Sequence, residues 1–325
     1  GCRVENNLYN IGGRAGSGVT AVVQANGYIY NNILKNWVSE RDYVSTCDVS
    51  QITSFSGAFY NQTSFNDDIS SWDTSSAVYM QNMFYNNTSF NRDISGWDTS
   101  SVINFRSMFA RASAFNQNIN SWDTSSATDM QTMFENASAF NGDISNWNVS
   151  NVINFDGTFQ FASAFNQNIS SWDTSSAVNM SNMLSYTPAF NQNISGWDTS
   201  SVTNFNYIFA FATAFNQDIF SWDTSSMSSW NGMFKNATQM LSTYSDIISS
   251  NGTPTANAFD TSPTLSSSTP ADNATNVVKD GTIVLNFSEN VVVGSGNITI
   301  KIASSDVSIE TIEVNNPEVT GSGTS

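Results

Sequence analysis

The sequence predicts a mainly β fold: a right-handed solenoid of stacked 25-residue rungs, with a short helical cap at its N-terminus and a second all-β module after it. Three observations predict it. The pair Phe-Asn recurs at Phe65, Phe90, Phe115, Phe140, Phe165, Phe190 and Phe215, and a Trp at Trp72, Trp97, Trp122, Trp147, Trp172, Trp197 and Trp222, always 25 residues apart. A period in the range of about 20–50 residues marks units that stack, each covering its neighbour's apolar face. Within a rung, Phe90, Ile94, Trp97, Val102, Phe105 and Phe109 occupy positions that stay apolar in nearly every copy, whereas the positions of Asn91, Asp93 and Ser95 are polar in all copies but one, Phe220. Beyond Pro263 the repeat is gone, and Thr282 to Phe287 and Asn297 to Ile302 alternate apolar and polar residues between turn formers, the pattern of β-strands.

Taken in order, residues 1 to about 26 are Gly-rich and weakly patterned. From Tyr28 to Val38, Ile29, Ile33, Leu34 and Trp37 fall at spacings of three and four, which predicts a one-faced helix covering the open end of the stack. Cys47 to Ile52 align with Trp72 to Ala77, so the array opens on a degenerate rung in which Cys47 replaces the Trp, as terminal repeats do. In each full rung, Asp93-Ile94-Ser95 is expected to centre a short strand, its polar neighbours facing solvent, with rungs about 4.8 Å apart. The Asp-Thr-Ser-Ser segment that follows the Trp carries residues that bond their own backbone, and predicts a turn. Three columns alternate together: Met80, Met130 and Met180 with Phe105, Phe155 and Phe205; Ala with Val three residues earlier; and Ser with Gly96, Asn146 or Gly196 before the Trp. The duplicated unit is therefore read as a pair of rungs, and Gly96, Asn146 and Gly196 are expected in left-handed conformation. These shifts divide the chain into an N-terminal segment and cap (1–45), the repeat solenoid (46–239), a linker or closing cap (240–262) and the C-terminal module (263–325).

Composition narrows the function. The formal charge of -17 arises from 10 Lys and Arg against 27 Asp and Glu, which argues against a nucleic-acid groove or an anionic membrane surface as partner. The chain has no histidine, so the commonest general base and the commonest ligand of zinc, copper and iron are missing, and no enzyme activity or cofactor is expected. Cys2 and Cys47 are expected to form one disulfide tying the N-terminal segment to the first rung. No apolar run is long enough for a transmembrane helix, no secretory signal is present, and the chain reads as a mature or trimmed form.

The Trp column is read as core rather than as an exposed sugar-binding row. The Asn column from Asn66 to Asn216 is read as a hydrogen-bonded ladder, and the column Asp73, Asp98, Asp123, Asp173, Asp198 and Asp223 as turn caps, with a calcium row as the alternative. The candidate contact surface is a polar face made of two files. One is Asp68, Asp93, Asn118, Asp143, Asn168, Asn193 and Asp218; beside it runs Asp67, Arg92, Gln117, Gly142, Gln167, Gln192 and Gln217. Side chains that vary on an otherwise regular scaffold are where repeat proteins bind.

The motif Phe-Asn-x-x-Ile-Ser-x-Trp-Asp-Thr-Ser-Ser-Val-x-x-Met-x-x-Met-Phe resembles the BspA-like surface repeat family, the Mycoplasma-lipoprotein-type repeats related to leucine-rich repeats, over about residues 28 to 239. Ser262 to Leu265, Thr269 to Val277, Asn286 to Val291 and Gly294 to Ile298 resemble the start of an SbsA-type bacterial immunoglobulin-like domain. The resemblance implies a leucine-rich-repeat-like solenoid followed by a partial immunoglobulin-like β-sandwich, on a secreted or cell-surface protein that adheres to or recognises a protein or glycan of another surface. About 60 residues fall short of the roughly 100 of such a sandwich, so the chain is read either as truncated or as completed by a neighbouring chain. A structural subunit of a surface layer or filament, joined to copies of itself by strand exchange, is therefore the alternative. A third reading is ice binding through the Thr file from Thr74 to Thr224, broken by Val149.

Overall fold

A computed structural model describes residues 4–5, 21–22, 48–255 and 258–259, and strands within 265–313. The expected helix at Tyr28–Val38 and the Cys2–Cys47 bridge lie outside the described residues. The chain divides into two compact units, Gly1–Phe259 and Asp260–Ser325. In the first, β1 (Val4–Glu5) pairs in parallel with β2 (Ala21–Val22), and α1 spans Thr238–Thr243. In the second, β3 (Leu265–Thr269) pairs antiparallel with β4 (Val284–Phe287), and β5 (Asn297–Ile302) with β6 (Val307–Glu313). Among the described residues, no helix is long and apolar enough to cross a membrane.

The 25-residue period becomes contact between equivalent residues. Parallel bridges run Ser54, Tyr79, Asn104, Asp129, Asn154, Asn179, Asn204, Ser229, each to the next. On one side of this line Ile103 N–H donates to the Val78 carbonyl of the preceding turn of chain at 3.0 Å, and Thr128 N–H to that of Ile103 at 2.9 Å. On the other side the direction reverses: Phe105, Ser107, Phe109 and Arg111 donate to the carbonyls of Asp129, Gln131, Met133 and Glu135 of the following one. The residues between them donate locally, as Met108 to Phe105 and Ala110 to Ser107. Every amide of the segment is thus satisfied, alternately between and within rungs.

This path needs two left-handed residues per rung. One file is Gly57, Asn82, Ser107, Thr132, Gly157, Asn182, Tyr207 and Gly232, the other Asn61, Asn86, Arg111, Asn136, Phe161, Tyr186, Phe211 and Asn236, all with φ between 51° and 64°. The expectation for Gly96, Asn146 and Gly196 is corrected: none has positive φ, and a Cβ on Gly96 or Gly196 would meet nothing within 4 Å. Before the Trp the choice is one of hydrogen bonding instead, since Ser121 and Ser171 donate to the carbonyls of Ser95 and Ser145, a bond that Gly cannot make.

The interior is a set of aromatic files. Trp rings stack at 6.0–6.5 Å, within 9° of parallel, from Trp72 to Trp222. Beside them run Phe65 to Phe215 and the file Phe59, Phe84, Phe109, Phe134, Phe159, with Leu184 as its one aliphatic member before Phe209 and Phe234. Each indole N–H from Trp97 onward reaches the Ile carbonyl 28 residues back, as Trp147 to Ile119 at 3.0 Å, so the Trp file buries its polar atom at no cost. The two-rung alternation is visible here: Phe105, Phe155 and Phe205 each lie 5.3–5.9 Å from the Trp of the next rung, and Met fills that place in the rungs between.

The Thr file lies inside except at its last member, Thr224, which is half-buried. Thr74, Thr99, Thr124, Thr174 and Thr199 are at most 2% exposed, and each hydroxyl donates to the carbonyl one rung on, at 2.7–2.9 Å. Ice cannot reach these side chains, and this removes the ice-binding reading, which required the file to be a surface. The same geometry singles out Val149, 1% exposed in the one rung that lacks the hydroxyl. Val149→Thr should supply the missing bond with little change of shape and raise stability by about 0.5–1.5 kcal/mol, read as a higher denaturant midpoint with unchanged slope. A loss of stability would show that the carbonyl at Asp173 is not positioned as its counterparts are.

The array is closed at its C-terminal end by residues 238–255 and 258–259. Phe209 N–H bonds the Met233 carbonyl of the next rung, and in the last rung Phe234 N–H finds the Gly252 carbonyl instead, at 2.7 Å. Gly232 N–H bonds Thr253 Oγ1 in the same manner. Phe259 packs 5.3 Å from Phe220 and 5.5 Å from Trp230, and Tyr244 meets Phe220 edge-on at 4.9 Å. Phe220, the exception in a polar column, is thus the residue that receives the cap.

Candidate recognition surfaces

The strand expected at Asp93-Ile94-Ser95 is not there. Pairing between rungs runs through residues 103–111 and their equivalents, while residues 91–94 and theirs carry no ladder. Asp93 Oδ1 accepts the Ser95 amide at 2.9 Å, and the Trp97 amide turns back to the Ile94 carbonyl, so this backbone is spent on a tight turn. What joins the rungs here is an asparagine ladder: each Oδ1 from Asn66 to Asn191 accepts the backbone N–H of the next Asn in the file, at 2.7–3.0 Å. The last member, Asn216, has its buried Oδ1 without a partner because no further Asn follows.

Both predicted contact files sit on this edge. Asp68, Asp93, Asn118, Asn168, Asn193 and Asp218 are exposed and Asp143 half-buried, and in all seven Oδ1 accepts the amide two residues on. Asp143 also accepts from the Asn120 side-chain amide through Oδ2. In the second file Gln117, Gln167, Gln192 and Gln217 donate through Nε2, and Arg92 through Nε, to the Asn carbonyl of the preceding rung. Gly142 departs from the pattern: a Cβ there would sit 2.1 Å from the Gln117 carbonyl oxygen. The edge is therefore a stiff, mostly neutral array of amides and carboxylates with one oxygen of each turn residue committed to the backbone.

The Asp column after the Trp does the same work. Asp73, Asp98, Asp173 and Asp198 each accept both the amide and the hydroxyl of the Ser two residues on, and Asp123 and Asp223 accept the amide. Among the described residues no three acidic or thiol groups converge on a point where a cation could sit. The Ser hydroxyl, then the amide, lowers the carboxyl values of Asp98, Asp123, Asp173 and Asp223; for Asp68 and Asp93 the amide of Ser70 or Ser95 leads. With folded values below the ordinary 3.8, the folded chain holds fewer protons than the unfolded one; this stabilisation is complete above about pH 4 and is lost as the pH falls through the lowered values. The melting temperature should be flat from pH 7 to about 5 and fall below about 4, although exposure keeps each turn's share small. A melting temperature that rises steadily on acidification would mean that relief of the net negative charge outweighs the turns.

One surface was not singled out from the sequence. In the second left-handed file, where four rungs carry Asn, three successive rungs carry Phe161, Tyr186 and Phe211, at φ 62°, 57° and 61°. A residue with a Cβ costs about 1–2 kcal/mol in this conformation, and Asn is the residue that tolerates it best after Gly. The three rings stack at 4.3 and 4.2 Å, and Phe161 and Tyr186 remain 36% and 37% exposed. Nearer the N-terminus the neighbouring column adds Tyr60 and Tyr85, stacked at 4.7 Å, with the Arg111 guanidinium 5.5 Å from the Tyr85 ring. The signal was present in the 25-residue spacing of Phe161, Tyr186 and Phe211, but reading columns for what stays constant passes over a column that changes halfway along.

Comparison with known families agrees with the repeat. The profile described as Mycoplasma protein of unknown function, DUF285, matches residues 29–145, 115–196, 136–247 and 168–270, and that of a bacterial Ig-like domain matches residues 260–322. No curated protein and no solved structure matches the chain.

Proposed function

Because the chain belongs to the family described as Mycoplasma protein of unknown function, DUF285, whose repeats run through residues 29–270, we propose that it is a secreted or surface-displayed recognition protein without enzymatic activity. The repeats are a leucine-rich-repeat-like solenoid of the BspA type, and the bacterial Ig-like domain at 260–322 is a spacer of the SbsA type. The ligand is a protein or glycan on another surface.

The observation that carries this reading is how side chains are used within a rung. Buried Thr hydroxyls, indole N–H groups and Asn amides are consumed in holding one rung to the next. What varies from rung to rung lies on the neighbouring edge, exposed at Arg92, Asp93 and Asn118, half-buried at Gln117 and Asp143, and covered only at Gly142. Such a scaffold is suited to displaying side chains along an edge.

The test is binding to glycan arrays and to intact cell surfaces by the full chain and by variants of Asp93, Asn118 and Asp143 changed together to Ala. Binding that is lost in the variant locates recognition on this face, whereas no binding by the full chain to any surface would overturn the proposal. Solution mass over a concentration series, with residues 260–325 present and deleted, separates the other reading. Assembly that needs those residues would make the chain a layer or filament subunit.

A further inference from the structure

We propose that the aromatic edge of the repeat array, centred on Phe161, Tyr186 and Phe211, is a binding site for the chain of a neutral polysaccharide lying along the array. The inference rests on the reading of the protein as one that recognises other surfaces, but it uses a different edge from the asparagine and aspartate files and names the ligand class.

The first ground is that the rings stand where the backbone disfavours them. Four of the other rungs have Asn at this position, the residue that suits the conformation, yet three consecutive rungs place a bulky ring there, with Phe161 and Tyr186 exposed and Phe211 half-buried. Non-glycine residues held in the left-handed region at a surface concentrate where function compensates the strain. The rings are not needed for the core, which is complete in the rungs that lack them.

The second ground is shape. The rings stack on one another, within 22° and 11° of parallel, so their faces cover one another and their edges are left to solvent in a file that follows the repeat, with the exposed Tyr207 four residues before Phe211. Tyr60, Tyr85 and Arg111 extend aromatic and cationic character along the same edge toward the N-terminus, with Glu135 and Asn136 between the two groups. A protein partner needs a broad patch with an apolar centre, which a single file does not offer. A linear polymer does match a single file.

The third ground is charge. Ring edges are the positive part of the aromatic quadrupole and attract lone pairs of hydroxyl and ether oxygens. Ser163, Pro188 and Thr213, two residues after the rings, are exposed and uncharged, and two of the three carry a hydroxyl that can hydrogen-bond a ligand. An anionic polymer would meet a chain of formal charge -17, and so would a second copy of this protein. An uncharged chain rich in hydroxyls meets neither penalty.

The test replaces all three rings by Asn, the residue of the equivalent position in other rungs, as F161N/Y186N/F211N. Because Asn suits the left-handed conformation, the variant should melt at or above the temperature of the parent, which separates loss of binding from loss of fold. Binding is measured by depletion from solution onto microcrystalline cellulose and onto chitin, and by affinity electrophoresis in mixed-linkage glucan, with alginate as the anionic comparison. The parent chain is expected to bind at least one neutral glycan more tightly than alginate, and the variant to lose tenfold or more in affinity. Equal binding by parent and folded variant would overturn this site while leaving surface recognition by the other edge intact. No binding by the parent to any neutral glycan, with binding to cells that protease treatment of those cells abolishes, would overturn the glycan and point to a protein ligand.

Discussion

Trp147→Ala should be among the most damaging single substitutions in the array, lowering stability by about 3–5 kcal/mol. The ring is 3% exposed and stacks at 6.3 Å on both Trp122 and Trp172. Its removal leaves a cavity the size of an indole, forfeits two stacked pairs worth about 0.5–1.5 kcal/mol each beyond their area, and leaves the buried Ile119 carbonyl without the indole N–H. The consequence differs from that in a globular core. Rungs touch only their neighbours, so stability is close to a sum of rung terms and interface terms. A defect in the middle weakens both interfaces of one rung and uncouples the two halves. Denaturant unfolding should therefore broaden or split into two transitions, with hydrogen exchange fastest around residues 140–165. A single sharp transition with unchanged slope would show that cooperativity reaches across the gap and that the additive description fails.

Removing the C-terminal closure should have the next largest effect. Deleting residues 238–325 strips Phe220 of Phe259 and Tyr244 and Trp230 of Phe259, and leaves the amides of Phe234 and Gly232 without the Gly252 carbonyl and the Thr253 hydroxyl. A bare rung end with unpaired backbone groups and an apolar face is a template for association. The shortened chain is expected to be insoluble or to form large aggregates, while deletion of 260–325 alone should leave the melting temperature of the repeats within a few degrees of the parent. Gly252→Ala is the milder version. Gly252 has φ 79°, and a Cβ there would lie 2.2 Å from the Lys235 amide nitrogen, so the loop must move and the bond to Phe234 N–H must lengthen. Soluble monomer after deletion of 238–325 would mean that the last rung needs no cover.

Much of the rung could be read before any coordinates, and the reason is that stacking turns composition into position. A residue that recurs every 25 places must meet its own kind, so an apolar column is core and an Asn column is a ladder, as the Trp97–Trp122 stack and the Asn91–Asn116 bond show. The period says nothing, however, about which part of a rung runs extended. Asp93-Ile94-Ser95 has the alternation of a strand, but a carboxylate two residues before a free amide closes a turn instead, and the pairing falls at 103–111, where alternation is absent because left-handed residues interrupt it. The Thr column misled for a related reason. Small polar residues suit a surface and suit equally a buried site with a carbonyl within reach, and only the distance from Thr174 Oγ1 to the Asp198 carbonyl, 2.7 Å, distinguishes them. The two candidate contact files do share one edge, the first mostly exposed and the second mostly half-buried, but their bonding to that edge depends on register between rungs, which spacing alone does not supply.

The asparagine ladder has one further consequence. Each Asn offers a side-chain oxygen on one side and a backbone N–H on the other, so the two faces of a rung are complementary to each other and any rung fits onto any other. The length of the array is therefore a free variable. A block inserted between two rungs brings its own donors and acceptors and leaves both ends as they were, and the pairing of Met rungs with Phe rungs sets the natural increment at two. Reach, and the number of contact residues displayed along it, can change by genetic duplication in discrete steps without redesign of the core or of the closing segment.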